Sequence, residues 1–386
     1  MDFAFSEEQQ LFGDALRKLF ENEYSADRRR AIVDSEESYS GDVWGHFAEM
    51  GLFGLPFAED VGGFGGNASD VLVVCLELGR SLSLEPFVAS VVLGGGAVRL
   101  AGSPEQQQSL LAGVVSGERK LAAAFLEPHA RYDLADVDTE ASAQDGGHRL
   151  TGRKAVVLGG DCADTFIVSA RASGSDGGLS LFAVDAAAPG VSVRGYKLVD
   201  GRGAAEVEFE DVELGPDALL GEAGSALPVI EQVADLGAAA LCAEAIGAIE
   251  MINEMTLEYL KTRQQFGRPI GSFQVLQHRM VDLYLELEHA KSLVFVASAM
   301  ADGDNADARA KAVSAAKNYI GDKGRDIAKD AVQMHGGMGV TREYALGDYV
   351  KRVLVADMLF GDADHHLERF GRISADPAAA GASVWA

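Results

Sequence analysis

Between Lys120 and Gly221 the apolar residues switch from a helical rhythm to short β-rich runs, and after Leu227 they switch back. A helix repeats every 3.6 residues and a strand every two, so one kind of element cannot satisfy both patterns and the chain must fold in blocks. Ser6-Glu-Glu-Gln opens the first block as an N-cap with an acidic first turn, leading into Leu11, Phe12, Leu16, Leu19 and Phe20 at helical spacing. Further helices are expected over 42–50, 71–78 (capped by Asn67-Ala-Ser-Asp70 and stopped by Gly79), 88–100 and 104–115. The middle block has short apolar runs at 122–126, 155–158, 165–168, 179–184, 191–194 and 205–210, separated by Gly or Asp turns, which predicts an antiparallel β-domain. From 227 to 370 the helical pattern returns, with a long helix over 306–334 and a glycine turn at 335–339. The tail after Ile373 is rich in Ala, Asp, Gly and Pro and is expected to be loose. The expected fold is therefore α+β and multidomain: an N-terminal helical domain (1–120), a middle antiparallel β-barrel or sandwich (121–224), a C-terminal helical bundle (225–373) and a tail (374–386).

At 386 residues the chain exceeds what one core usually supports, which agrees with several domains. Its formal charge of -26 repels nucleic acid and anionic membrane surfaces and excludes both as partners. Cys75, Cys162 and Cys242 are far apart and lack metal or redox spacing, so reduced, buried thiols are expected. The acidic N-terminus lacks the basic and apolar regions of a leader, and the apolar runs are too short or too glycine-rich to span a bilayer. A cytoplasmic protein is the expectation.

One corner gathers candidate ligand-binding residues. Arg263-Gln-Gln-Phe-Gly-Arg-Pro-Ile-Gly-Ser-Phe-Gln-Val-Leu-Gln277 interrupts two helical patterns at Gly267, Pro269 and Gly271. A cation, an aromatic and several glutamines there suit a polar, planar ligand, and they also suit the capping and packing of a helical hairpin.

Thr262-Arg263-Gln-Gln-Phe-Gly267, with Gln274 beyond it and Gln333-Met-His-Gly-Gly-Met-Gly339 downstream, resembles the acyl-CoA dehydrogenase family. The order of the three domains is similar too, so the resemblance covers nearly the whole chain. It implies a tetramer with flavin adenine dinucleotide (FAD) in clefts between neighbouring subunits. It also implies an acyl-CoA substrate from which a carboxylate takes the α-proton while the flavin N5 accepts the β-hydride, and an electron-transfer flavoprotein as acceptor. By the same resemblance Arg263 reaches the pyrophosphate of a flavin bound mainly by an adjacent subunit, a task suited to a guanidinium fork. Phe266 and Gln274 neighbour that site, and Gln333, Gly336 and Gly337 meet the adenylate half, where a Cβ would obstruct the approach. Read without the family, Arg263 is a helix C-terminal charge and Gly336-Gly337 a helix C-cap.

The sequence also departs from the family. The usual Thr-Glu-Pro-Gly-Ala-Gly-Ser-Asp run is replaced by Leu126-Glu-Pro-His-Ala-Arg-Tyr-Asp133, and the flavin-facing Trp-Ile-Thr-Asn segment by Val156-Val-Leu-Gly159. Valine and leucine cannot supply the threonine's hydrogen bond. Where many members place the catalytic glutamate this chain has Phe360, and an alternative family position upstream falls on Gly237, two residues from Asp235. Asp235 is the candidate base, against a reading as a helix-start residue. Asp362-Ala-Asp364-His365-His366 clusters metal-ligand types. Its likeness to a bacterial subgroup that includes small subunits described for pimeloyl-CoA dehydrogenase favours capping or a subunit contact instead. Together these features imply a hetero-oligomer with a second, base-bearing dehydrogenase chain. The alternatives are a homotetramer using Asp235 and a non-catalytic acyl-CoA-binding subunit.

Overall fold

The computed structural model describes residues 5–144, 146–173 and 178–375. Its contacts fall into two units, one of Met1–Arg29, Ala68–Ser83 and Ala238–Ala386, the other of Arg30–Asn67 and Leu84–Gly237. The helices before the sheet are α1 (Glu7–Glu23), α2 (Ala26–Asp34), α3 (Gly41–Glu49), α4 (Ala68–Ser81), α5 (Gly96–Ala101) and α6 (Pro104–Val115). Eight strands follow: β1 (Leu121–Ala124), β2 (Glu140–Gln144), β3 (Gly147–Leu158), β4 (Thr165–Ala172), β5 (Leu179–Asp185), β6 (Val191–Lys197), β7 (Gly203–Leu214) and β8 (Leu219–Leu220). The helix α7 (Leu227–Thr262) then leads through a hairpin of β9 (Gln264–Gln265) and β10 (Arg268–Pro269) into α8 (Gln274–Ala301), α9 (Ala306–Tyr319), α10 (Arg325–His335), α11 (Leu346–Met358) and α12 (Ala363–Ala375). The expected α, β, α order is the observed one.

In the second unit the strand order is β6-β7-β3-β2-β4-β5-β8, with β1 also beside β4. The sheet is open rather than a closed barrel, and it is not wholly antiparallel. β1 pairs in parallel with residues 165–168 of β4, and β2 in parallel with 171–172. The two short strands run along the same side of β4 as one strand interrupted by the loop 125–139, an arrangement that a two-residue rhythm cannot encode because it carries no strand direction. One face buries Phe166, Val168, Phe182, Val207 and Phe209 completely or nearly so.

In the first unit α1 begins with a capping box on Ser6 and lies on α4, where Gln9 Nε2 donates to Asp70 Oδ1 at 2.9 Å and Arg17 pairs with Glu77 at 2.6 Å. Gly79 is not the expected helix stop; α4 continues through it to Ser81. A Cβ on Gly79 would lie 1.9 Å from the Glu244 carbonyl oxygen of α7, and one on Gly247 would lie 2.0 Å from the Leu76 carbonyl oxygen of α4. The two glycines are notches that let the helix backbones touch, a requirement set by the partner helix and not by local sequence. The expected helix over 306–334 is α9 and α10 joined through a widened turn at Ile320–Gly324, as in a π-bulge. The helix α2, rich in arginine, carries too little apolar periodicity to be expected. The tail is helical to Ala375, and its remainder, 376–386, lies outside the described residues.

Cys75 and Cys242 are buried free thiols, and burial pushes Cys242 up to about 12, so both are inert. Among the described residues no helix is long and apolar enough to cross a membrane. Substituting Gly79→Ala forces α4 off α7, and urea denaturation is expected to show a loss of at least about 2 kcal/mol. A substitution within about 0.5 kcal/mol of the parent would mean that the crossing tolerates displacement.

Candidate functional site

The hairpin that ends α7 is a two-residue turn. Gln265 pairs with Arg268 and Gln264 with Pro269, leaving Phe266 and Gly267 at the tip with φ of 55° and 75°. Two positive φ values in succession are the signature of a tight hairpin of type I′, which normally selects Asn-Gly because a bulky side chain is strained there. Phe266 is nonetheless 89% exposed. Its ring meets Phe273 edge-on at 6.0 Å, and the Arg268 guanidinium covers Phe273 at 4.1 Å. The base of the hairpin is rigid: Arg263 N–H donates to Tyr259 O, and Ile270 N–H donates to Arg263 O, both at 2.8 Å. Arg263 and Gln274 stand exposed beside the tip.

The glycine turn reaches the same end of this unit. Its anchor is His335, 3% exposed, whose ring stacks on Tyr259 at 4.5 Å and tilts against Tyr344 at 5.2 Å. Burial lowers the His335 pKa against the opposing effect of the 2.8 Å Nδ1 hydrogen bond to Ala331 O, which favours a neutral packing ring over an acid–base group. Tyr259 lies on the last turn of α7, four residues before Arg263. Gly336 takes φ 58°, and a Cβ on either Gly336 or Gly337 would meet nothing within 4 Å. Gln333, Gly336 and Gly337 are exposed. Arg263, Phe266 and Gln274 lie at the hairpin and Gln333, Gly336 and Gly337 at the end of α10, two segments joined through the Tyr259–His335 stack. Gly336 serves as the α10 C-cap.

Asp235 belongs to the second unit, is 2% exposed, and lies inside α7 and not at its start. Phe360 occupies the turn between α11 and α12 with φ 58°, followed by Gly361 at 108°. The buried Lys317 ammonium fixes that turn by donating to the carbonyls of Ala356, Asp357 (3.0 Å) and Leu359 (2.8 Å). His366 Nε2 donates to Phe360 O at 2.9 Å, so Nδ1 accepts from Ser314 Oγ at 3.2 Å. Burial and then Lys317 hold the His366 pKa down to about 2. Asp362 Oδ1 accepts from His365 N–H at 2.9 Å, which caps the start of α12.

In the second unit, Val156 sits in a bulge of β3 with φ 51°, and Val157 and Leu158 are buried. That stretch offers hydrocarbon and no side-chain hydroxyl. Glu127, 5% exposed, binds the chain's own loop. Its carboxylate accepts from Asp138 N–H (2.9 Å), Thr139 N–H (3.0 Å), Thr139 Oγ1 (2.7 Å) and the fully buried Lys154 Nζ (2.7 Å). Sequence reasoning missed Lys154. The signal was its phase: two and four residues after the buried Leu150, a two-residue rhythm turns Gly152 and Lys154 inward.

Residues that could hold a flavin nucleotide thus fit on one side only. The hairpin and the open glycines suit the phosphates and adenylate, whereas Val156–Leu158 lacks the donor expected against the ring.

Comparison with known proteins comes to the same place. Residues 6–118, 122–212 and 226–374 match the N-terminal, middle and C-terminal domains of acyl-CoA dehydrogenase. The chain is 28% identical to acyl-CoA dehydrogenase FadE27 of Mycobacterium tuberculosis, over 96% of this chain and 98% of that one. It is 30% identical to the caffeyl-CoA reductase-Etf complex subunit CarC of Acetobacterium woodii, over 88% of this chain and 91% of that one. A chain of the ChsE4-ChsE5 complex from Mycobacterium tuberculosis superposes with a TM-score of 0.89 at 28% identity, covering 98% of this chain and all of that one.

The buried pair yields a test. Lys154→Met strands the Glu127 carboxylate away from water and is expected to cost about 3 kcal/mol or more, while adding Glu127→Gln recovers much of the loss. Burial lowers Lys154 from 10.5 to about 8, so between those values the unfolded chain binds a proton that the folded chain releases, and its contribution makes stability rise with pH. Burial works to raise Glu127, but Lys154 and the hydrogen bonds hold it below its ordinary value. Its contribution is therefore present above that value and lost as pH falls through the folded one. Denaturant melts of the parent and both variants across pH check both signs.

Proposed function

Because the chain belongs to the acyl-CoA dehydrogenase family, whose members are flavin-dependent oxidoreductases, we propose that it serves α,β-dehydrogenation of an acyl-CoA thioester as one subunit of a hetero-oligomer. The other subunit is a dehydrogenase chain that brings the catalytic carboxylate. One observation carries this reading: the chain holds Phe266 89% exposed at the tip of the hairpin that follows Arg263, while its own β-domain offers no side-chain hydroxyl at Val156–Leu158.

In this reading Arg263 forks a phosphate of FAD held mainly by the neighbouring chain, Phe266 and Gln274 flank it, and Gly336-Gly337 admit the adenylate portion with Gln333 at its edge. FAD, when bound, supplies the hydride acceptor, and electrons leave to an electron-transfer flavoprotein. The protein's own part is to bind, orient and exclude water. Phe360 cannot abstract a proton, and the turn that carries it is fixed by Lys317 and His366. The pairing of two chains in the ChsE4-ChsE5 complex supports the hetero-oligomer, and the Etf complex of CarC supports the electron acceptor. The cytoplasm is the proposed location.

Coexpression with a second dehydrogenase-like chain is expected to yield a stable complex with about one flavin per two chains. In that complex Asp235→Asn leaves turnover unchanged. Full flavin occupancy and turnover by the purified homo-oligomer, with activity lost in Asp235→Asn, would establish the homotetramer instead.

A further inference from the structure

The geometry points to a divalent-metal site on the loop after Glu127, built on Glu127, His129 and Asp138 with Asp136 beside the imidazole, and suited to a first-row ion such as Zn2+. His129 Nε2 lies 3.5 Å from Asp136 Oδ1 and 3.6 Å from Asp138 Oδ2. These distances exceed the usual ~2.9 Å of a hydrogen bond to nitrogen. They match the ~3.4 Å that separates two ligands, each ~2.1 Å from an ion, across a tetrahedral angle. Potential ligand atoms of Glu127, His129 and Asp138 lie within 4.8 Å of one another.

Glu127 has one oxygen to contribute. Its Oε1 receives three donors, from Thr139 N–H, Thr139 Oγ1 and Lys154, whereas Oε2 receives only Asp138 N–H and keeps a lone pair. Lys154 offsets the Glu127 carboxylate, and the Asp136 and Asp138 carboxylates beside the imidazole provide negative charge for a dication. The backbone between these residues is preset by successive turns, with Ala130 N–H donating to Glu127 O (3.2 Å), Asp133 N–H to Ala130 O (2.9 Å) and Asp136 N–H to Asp133 O (3.3 Å). An imidazole with carboxylates and no thiolate selects borderline divalent ions. His129 is 43% exposed and Asp138 84%, which leaves room for water in the remaining coordination positions. An ion there would tie the 128–130 turn to the segment that enters β2. Nothing in the dehydrogenase reading uses an imidazole at this position, where the family-like run has glycine.

The test is a titration of the full-length, chelator-stripped chain with Zn2+ against a chromophoric competitor, repeated with Co2+ to read the ligand-field absorption. The expected result is one saturable site per chain, weakened at least tenfold in His129→Ala and also weakened in Asp138→Asn. Both residues are exposed, and circular dichroism verifies that the variants fold. His365→Ala, in the other Asp/His segment, is expected to bind as the parent does. The assignment is overturned if the parent shows no saturable binding up to ~1 mM Zn2+, or if His129→Ala binds as tightly as the parent.

Discussion

The His335 ring lying 4.5 Å from that of Tyr259 ties the end of α10 to the end of α7. Tyr259 fixes where α7 ends and the hairpin begins, and His335 fixes where α10 ends and the glycine turn begins. Stacking of this kind contributes about 1 kcal/mol beyond burial. Its larger effect is geometric, because it joins the segment that leads into the hairpin to the one that leads into the glycine turn. A left-handed Phe266 at a hairpin tip is strained and an exposed phenyl group gains little in water. The chain holds both features together, and the proposed function assigns both to a neighbouring chain's nucleotide.

Block organisation was legible because hydrophobic period is a local property of sequence, and the three-part order followed from it. What stayed hidden depended on partners. Gly79 resembles a helix stop until Glu244 of α7 is seen against it. The parallel pairing of β1 and β2 with β4 arises from the path of the loop between them, which no alternation pattern records. At the site, the spacing of Arg263 and Gly336 was visible, but the hairpin type was not, since Phe-Gly is an unusual occupant of a turn that favours Asn-Gly.

Three buried cations explain how the altered regions remain ordered. Lys154 secures the 126–139 loop through Glu127, Lys317 secures the Phe360 turn through three carbonyls, and Arg352 donates to Ser83 O at 2.9 Å within the helical unit. At Val156–Leu158 and at Phe360 the side chains are hydrocarbon, while Lys154 and Lys317 hold the backbone beside them. Such an arrangement suits the proposed part of a subunit that serves its neighbour's cofactor.

The most direct measurement is flavin content of the assembled hetero-oligomer carrying Arg263→Ala in this chain alone. Arg263 is exposed and its substitution leaves the fold intact, so the complex should keep its mass by native mass spectrometry. The account predicts that such a complex loses most of its bound flavin, with affinity weakened at least about tenfold, in line with a lost charge-assisted hydrogen bond. Unchanged flavin content and affinity in the intact complex would contradict the assignment of this corner to the neighbour's cofactor.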